Sequence, residues 1–334
     1  MRDLPPLLLH YYVTERCNCR CTFCHIWKIP AEKSDDASIA HVRKNLRDAR
    51  QLGVRFVDFT GGEPLLHEKL PEMLFEAKRF GLRTSVTTNC LIYVQRSAEL
   101  KGLIDFLHFS LDSLRAERHD ASRGQPVFAQ VMHSLDKARQ LGERPDLLFT
   151  ISRDNSDDLK PMADFAQTLG IMLVLNPLFS LSSPTHNADL TRTMEQFSAT
   201  PFVYVNKAFH LLRRAGGNQK CAPRCRAVDS VIVISPDNKI LLPCYHFARQ
   251  KLDLADRPGR QTAQSSCKDG SGHTAGVLPT CSGNNIKAAR QSSIWQFYRE
   301  NQGRFTFCQG CHLNCYFDPS FMVKIDYYFW QSLL

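Results

Sequence analysis

Cys17, Cys21 and Cys24 follow one another as C-x3-C-x2-C in the stretch Cys17-Asn-Cys-Arg-Cys-Thr-Phe-Cys24, and nothing else in the chain constrains it as much. Three thiols converge from one short loop. Three thiolates hold three irons of a [4Fe–4S] cube and leave the fourth iron open to another ligand, a vacancy that four-cysteine ferredoxin patterns lack. A zinc site needs a fourth ligand close by, which His25 can supply. A disulfide fits poorly, since three spaced thiols do not pair.

The length of 334 residues suits one large domain, or one with a small appendage. No apolar run approaches the length of a membrane span. The N-terminus, Met1-Arg-Asp-Leu-Pro-Pro-Leu-Leu-Leu-His10, has too short an apolar core and no small-residue cleavage site for a signal peptide, so a cytoplasmic location is expected. Thirteen cysteines in a reducing compartment favour metal over disulfides. The formal charge of +9 reads as a solubilising surface or as a basic cleft for an anionic ligand. No basic run carries interleaved aromatics, which disfavours nucleic acid as a partner.

Strands are predicted at 7–13, 54–59, 82–88, 104–111, 147–152 and 171–175. Helices are predicted between them at 38–52, 68–80, 92–101, 126–141 and 157–169, with a long closing helix over 192–214. Strands alternating with helices imply an α/β fold with a parallel sheet and right-handed crossovers. The periodicity suits a partial barrel and a doubly wound sheet equally. Either places ligands at the carboxyl ends of the strands. Residues 215–220 read as a Gly-Gly-Asn linker, and Val231–Ile234 with Lys239–Leu242 as a hairpin around Ser-Pro-Asp-Asn. Residues 250–290, rich in Ser, Gly, Gln, Arg and Lys, read as a mobile surface insertion in which Cys267 and Cys281 are free thiols. A short helix is expected at 294–299.

Gly61-Gly62-Glu63-Pro64 follows the second predicted strand. By itself it reads as a tight strand-to-helix turn, with Glu63 capping and Pro64 opening the helix. Coming after the cysteine loop, it resembles the radical S-adenosylmethionine (SAM) superfamily. The resemblance implies a partial (β/α)6 barrel over 1–215, with Cys17, Cys21 and Cys24 holding a [4Fe–4S] cluster whose open iron chelates SAM. Cys19 lies outside the family spacing and reads as a bystander. The resemblance implies that Gly61, Gly62 and Glu63 meet the SAM amino group and that Phe23 lies against adenine. It implies that Asn89, Ser110 and Asp112 line ribose and methionine, and that Arg123, in His119-Asp120-x-x-Arg123, pairs with the SAM carboxylate. A guanidinium fork matches a carboxylate bidentately. The bland readings are a packed Phe23, a helix cap at Asp112 or Ser113, and a surface arginine. Thr88 stands with Asn89 at the end of the third predicted strand in the same implied role, and Ser152 and Asn176 are weaker strand-end candidates of the same type.

A second cysteine set comprises Cys221, Cys225, Cys244, Cys308, Cys311 and Cys315. It resembles the SPASM/twitch extension of radical SAM enzymes, which implies an auxiliary [4Fe–4S] cluster within a small cysteine-rich α+β extension over 216–334. Cys225, Cys244, Cys308 and Cys311 are the favoured ligands, with Cys315 or Cys221 as replacements. Where relatives have a glycine four intervening residues ahead of the post-hairpin cysteine, Lys239 stands here, and the neighbouring Asn238 can take the left-handed turn. A zinc ribbon, with four thiolates in two pairs, is the rival. The terminal aromatics, Tyr316 to Trp330, read as core or as a lid over a flat apolar substrate.

The resemblance implies an oxidoreductase that forms a 5′-deoxyadenosyl radical and oxidises an unactivated C–H bond, fed by an electron donor such as flavodoxin or ferredoxin. Sixteen residues precede Cys17, too few for an N-terminal peptide-binding domain, which tilts the expectation toward a small molecule. A partly apolar, carboxylate-bearing tetrapyrrole, oxidised at a side-chain methyl as in chlorophyll-type rings, is the sharper expectation. Peptides, sugars and a non-enzymatic iron–sulfur or zinc scaffold are the alternatives. No catalytic acid or base is assigned.

Overall fold

The computed structural model describes residues 5–179, 188–254, 285–323 and 325–333. β1 (Leu8–Thr14), β2 (Phe56–Gly61), β3 (Arg83–Thr88), β4 (Phe106–Ser110), β5 (Asp146–Ile151) and β6 (Leu173–Pro177) pair in sequential order, every pair parallel. A doubly wound sheet reverses its strand order at a switch point. This sheet has no reversal, so same-handed crossovers put the intervening helices on one face. Those helices are α1 (Ile39–Gln51), α2 (Leu70–Arg79), α3 (Tyr93–Leu100), α4 (Ala116–Arg123), α5 (Phe128–Leu141) and α6 (Leu159–Leu169). The α/β fold and its parallel sheet are as the sequence predicts; α4 is an addition.

Alternation along the strands sorts the side chains onto two faces. Leu9, Tyr11, Val13, Val57, Phe59, Val86, Phe109 and Phe149 are buried in the main apolar core with the helices' inner stripes. The opposite face of β1, Leu8 and Tyr12, packs into a second apolar cluster. On that face His10 Nδ1 lies 3.1 Å from Asp58 Oδ2, and His108 faces Asp146 at 3.4 Å.

The predicted helix over 192–214 is two. α7 (Ala188–Gln196) ends well short, β7 (Val203–Tyr204) pairs parallel with β6, and α8 (Lys207–Arg214) follows. Pro201 explains the break: it disfavours helical geometry at Thr200, and Phe202 turns through φ 61°.

After α9 (Ala227–Ser230) the chain forms β8 (Val231–Ile234) and β9 (Lys239–Leu242), a hairpin turning at Asn238 with φ 59°. β8 pairs parallel with β1, and β10 (Gln250–Asp253) adds antiparallel to β9. The result is one ten-stranded sheet, ordered β10-β9-β8-β1-β2-β3-β4-β5-β6-β7. Both ends of the predicted 250–290 insertion are therefore regular structure, β10 and α10 (Ile286–Gln291), which packs near α1. The rest of it, with Cys267 and Cys281, lies outside the described residues. α11 (Ser293–Glu300), α12 (Asn314–Met322) and α13 (Tyr327–Ser332) complete the chain. α12 docks on α8 and α9, burying Tyr316, Phe317 and Phe321 in the second cluster. The terminal aromatics divide accordingly: those of α12 are core, whereas Tyr327 and Trp330 are exposed. No helix among the described residues is long and apolar enough to cross a membrane.

Candidate functional site

The carboxyl end of β1 runs directly into the cysteine loop, and the glycine turn after β2 locks against it. The Gly62 amide donates to the Thr14 carbonyl and the Glu63 amide to the Arg16 carbonyl, both at 2.9 Å. A Cβ on Gly61 would fall 2.0 Å from Thr14 O, and one on Gly62 would fall 2.2 Å from Arg16 O. Both positions are thus required to be glycine by the neighbouring backbone, whatever else approaches.

Glu63 is 1% exposed. Its carboxylate accepts from the Leu65 amide at 3.1 Å and the Asn89 amide at 2.8 Å, so it both caps the turn opened by Pro64 and ties β2 to the end of β3. Burial pushes its pKa up to about 7, against the pull of those amides, the Thr88 hydroxyl and the Arg123 charge. The Asn89 side chain donates to Asn18 Oδ1 inside the cysteine loop at 2.7 Å.

Arg123 ends α4, buried, and lies 2.7 Å from Asp112 Oδ2. Its guanidinium also sits 3.9 Å from Cys21 Sγ and 5.4 Å from the centre of the Phe23 ring. Arg123 Nε is buried without a partner in the structure. Asp112 does not cap a helix: it accepts from the Thr150 amide at 3.0 Å and the Ser122 hydroxyl at 3.2 Å. Its own amide donates to His119 Nδ1 at 3.1 Å. Asp120 accepts from the Val127 and Phe128 amides, both at 2.8 Å, which fixes the start of α5. Ser110 is buried at the end of β4. Ser152 is bound to Asn155, and Asn176 is half-buried at the end of β6. Phe23, Gly61, Gly62, Glu63, Asn89, Asp112 and Arg123 thus surround the cysteine loop, whereas Ser152 is absorbed by a local turn.

Cys225, Cys244, Cys308 and Cys311 form the second group, each within electrostatic reach of the other three. Burial pushes Cys308 and Cys311 up to about 12, Cys225 up to about 11 and Cys244 well above the thiol range. Cys221 is exposed. Cys315, near Cys311, also faces Asp318 and Asp58, and its carbonyl lies 3.4 Å from His10 Nε2, so it borders the barrel as well as the four.

Asn218, read from sequence as linker, organises the four. Its side chain donates to the Gly303 and Cys308 carbonyls at 2.7 and 3.0 Å and accepts from the Arg224 and Cys225 amides at 2.9 and 3.2 Å. Its backbone exchanges hydrogen bonds with Gly310 and Cys311, both at 2.8 Å. A Cβ on Gly217 would strike Gly310 O at 2.4 Å. The only sequence signal was a Gly-Gly-Asn run just ahead of a cysteine.

Tyr245 and His246 were also missed. Tyr245 stacks on Tyr12 with ring centres 3.9 Å apart, and its neighbours include Cys24 as well as the adjoining Cys244. His246 is exposed, and desolvation by the surrounding protein first and the His10 charge second lower its pKa to about 4.

Among the described residues no three His, Cys, Asp or Glu side chains are grouped so as to hold a single metal ion. A zinc ion, with Zn–S bonds of about 2.3 Å, gathers its sulfurs nearly into contact. A cube binds each thiolate at a separate iron and keeps them apart. Burial keeps the second set's thiols protonated, and with them Cys17 and Cys24, until a metal displaces the protons, whereas Cys21, hydrogen-bonded to Cys19 and beside Arg123, is lowered to about 6. The orphaned Arg123 Nε adds a cation beside the first set that still has a hydrogen bond to give.

Residues 11–166 match the family model described as the Radical SAM superfamily. The chain carries a radical SAM domain. The cofactors of a radical SAM domain are a [4Fe–4S] cluster and SAM, and the residues around Cys17, Cys21 and Cys24 fit them. The cysteine-rich end is consistent with an auxiliary cluster. Among curated relatives, a probable GTP 3′,8-cyclase of Metallosphaera sedula is 31% identical over 166 residues, 49% of this chain and 52% of that protein. Fe-coproporphyrin III synthase of Methanosarcina barkeri is 28% identical over 169 residues, 50% of this chain and 42% of that protein. The chain spans about half the length of the curated relatives it matches. Among solved structures, anSMEcpe with bound AdoMet superposes with a TM-score of 0.61 at 13% identity, covering 88% of this chain and 82% of that one. Streptococcus suis SuiB bound to S-adenosylmethionine gives 0.57 at 19%, covering 74% and 63%. At these identities the likeness is one of fold; in the first case it extends beyond the radical SAM domain into the extension.

Proposed function

We propose that this chain is a radical SAM oxidoreductase with a SPASM/twitch-like extension, and that it oxidises an unactivated C–H bond of a tetrapyrrole intermediate. The observation that carries the reading is that Tyr245, which directly follows Cys244 of the second cysteine set, lies within electrostatic reach of Cys24 of the first. Cys17, Cys21 and Cys24 hold the first cluster; Cys225, Cys244, Cys308 and Cys311 hold the second, with Cys315 at its edge. When bound, the open-sited cluster with SAM supplies a 5′-deoxyadenosyl radical that takes a hydrogen atom from substrate, and the auxiliary cluster supplies an acceptor for the electron left behind. The chain's own groups bind and orient. Backbone groups at Gly61 and Gly62 and the Glu63 carboxylate face the SAM amino group, Arg123 turns its free Nε to the carboxylate, and Phe23 covers adenine. Asn89, Ser110 and Asp112 fix the remainder, and the extension excludes water. A one-electron donor such as flavodoxin or ferredoxin starts each turnover. The tetrapyrrole class is supported by the named coproporphyrin relative, by the net charge of +9 and by half-buried aromatics at the mouth.

Iron and sulfide content of the anaerobically reconstituted protein tests the reading. About eight irons per chain, falling to about four in the Cys17/Cys21/Cys24 triple alanine variant, is expected for two four-iron cubes. The same variant is expected to form no 5′-deoxyadenosine. About four irons falling to none, with one zinc retained, removes the electron-accepting role.

A further inference from the structure

The segment Tyr245–Ala248 connects Cys244 to β10 and closes as a turn, the Ala248 amide donating to the Tyr245 carbonyl at 3.4 Å. The turn carries His246, and aromatic groups adjoin the turn on either side of that residue in sequence. On one side is the Tyr12–Tyr245 stack, where the Tyr316 hydroxyl oxygen accepts from the Tyr245 amide at 2.9 Å. On the other, Phe247 stacks on Phe307 at 5.2 Å and meets Phe179 edge-on at 6.5 Å. Phe179 lies just beyond the carboxyl end of β6. The Arg249 guanidinium covers Phe307 at 5.2 Å from its centre.

The His246 ring stands perpendicular to Tyr245 and Tyr316, 5.6 and 6.4 Å from their centres. It is exposed and has no hydrogen bond to another described residue. Ring packing accounts for the tyrosines and phenylalanines. It does not account for an exposed imidazole with two uncommitted nitrogens beside Tyr245 and Tyr316. Imidazole is a standard axial ligand for a metal held in a macrocycle. Flanking aromatic edges suit a wide apolar plate, and a guanidinium beside them suits a carboxylate on its margin. Tyr245 lies within electrostatic reach of Cys24, so a plate held at His246 lies at the rim where hydrogen abstraction takes place.

We propose that His246 is the axial ligand to the central metal of a metallated tetrapyrrole substrate, with Tyr245 and Phe247 bordering the macrocycle and Arg249 pairing a peripheral carboxylate. The proposal rests on the substrate class proposed above and adds the requirement for a central metal. Reconstituted holoprotein is titrated with zinc coproporphyrin and, separately, with metal-free coproporphyrin, and the porphyrin absorbance is followed by difference spectra. Wild type is expected to bind the zinc form with the red shift of axial ligation. His246→Gln is expected to lose that shift and bind an order of magnitude more weakly, and added imidazole is expected to restore the shift in His246→Gly. Metal-free coproporphyrin is expected to bind wild type and His246→Gln alike, and both variants are expected to keep the full iron content. A shift that survives in His246→Gln overturns the proposal, as does loss of auxiliary iron from that variant, which makes the imidazole a cluster ligand instead. Binding of the metal-free macrocycle with no response to His246 sinks the axial role and leaves the substrate class standing. Failure of wild type to bind either macrocycle sinks both.

Discussion

A methyl group at position 62 has nowhere to go, because the carbonyl of Arg16 already fills the space. The glycine turn was legible as a motif, and its place after β2 was too. Its strictness was not, since the crowding comes from the loop after β1, the preceding strand in sequence. Gly62→Ala is expected to cost about 1–3 kcal/mol through the backbone shift it forces, read as a lower urea midpoint of the metal-free protein. An unchanged midpoint would mean that the β1 loop yields freely. Two titrating residues give opposite signs. His119 accepts a hydrogen bond at Nδ1 and holds Nε2 enclosed without a partner. Its pKa falls to about 4, through burial first and the Arg123 charge second. The unfolded chain, with an ordinary histidine near 6.5, takes the proton first. Stability from His119 is therefore complete above about pH 6.5 and is lost as pH falls toward 4. Glu63 is the reverse: its pKa rises to about 7 from 4.5, so the folded state takes the proton first. Its contribution is present at low pH and is lost as pH rises from about 4.5 to 7. Urea midpoints of metal-free wild type, His119→Gln and Glu63→Gln between pH 5 and pH 7.5 separate the two. Wild type should lose more than His119→Gln on acidification, and less than Glu63→Gln. Parallel curves for all three would contradict both assignments.

Elements repeat the lesson at a larger size. Helices α1 to α3, α5 and α6 were readable from periodicity and from stops such as Gly142 and Gly170, which take the left-handed conformation at the ends of α5 and α6. The long helix was misread because one proline was outweighed by a good apolar stripe on either side. The Gly-Gly-Asn stretch was misread because flexible composition usually means a linker, and here Gly217 and Asn218 each meet a tight constraint. Asn218→Ala strands two carbonyls and two amides in a buried junction and is expected to cost about 2–4 kcal/mol. Asn218→Asp keeps the acceptor for the Arg224 and Cys225 amides but loses both donations, so it should not rescue. Auxiliary iron retention and thermal unfolding of the two variants read this; full retention in Asn218→Ala would remove Asn218 from its organising role.

For the whole molecule, the parallel α/β class followed from strand–helix alternation, and the sequential strand order then selected the partial barrel over the doubly wound sheet. The pairing of β8 with β1 left no trace in the sequence, because it joins segments more than two hundred residues apart through backbone groups alone. It makes the barrel and the extension share a sheet, and His10 adds a side-chain link from β1 to the Cys315 carbonyl. We expect metal-free protein to unfold in one cooperative transition, the same by far-ultraviolet dichroism and by fluorescence. Two separated transitions would show that the seam carries little.

β1 is hydrogen-bonded along both edges, to β2 on one side and to β8 on the other. The strand that delivers the first cysteine loop is therefore also the ruler for the second. A register slip of one residue there would turn His10 and Tyr12 toward the helices and displace both cysteine sets together, so the two cannot drift independently as the protein diverges. An extension transplanted from another member of the superfamily would need to match this strand edge before any of its cysteines mattered.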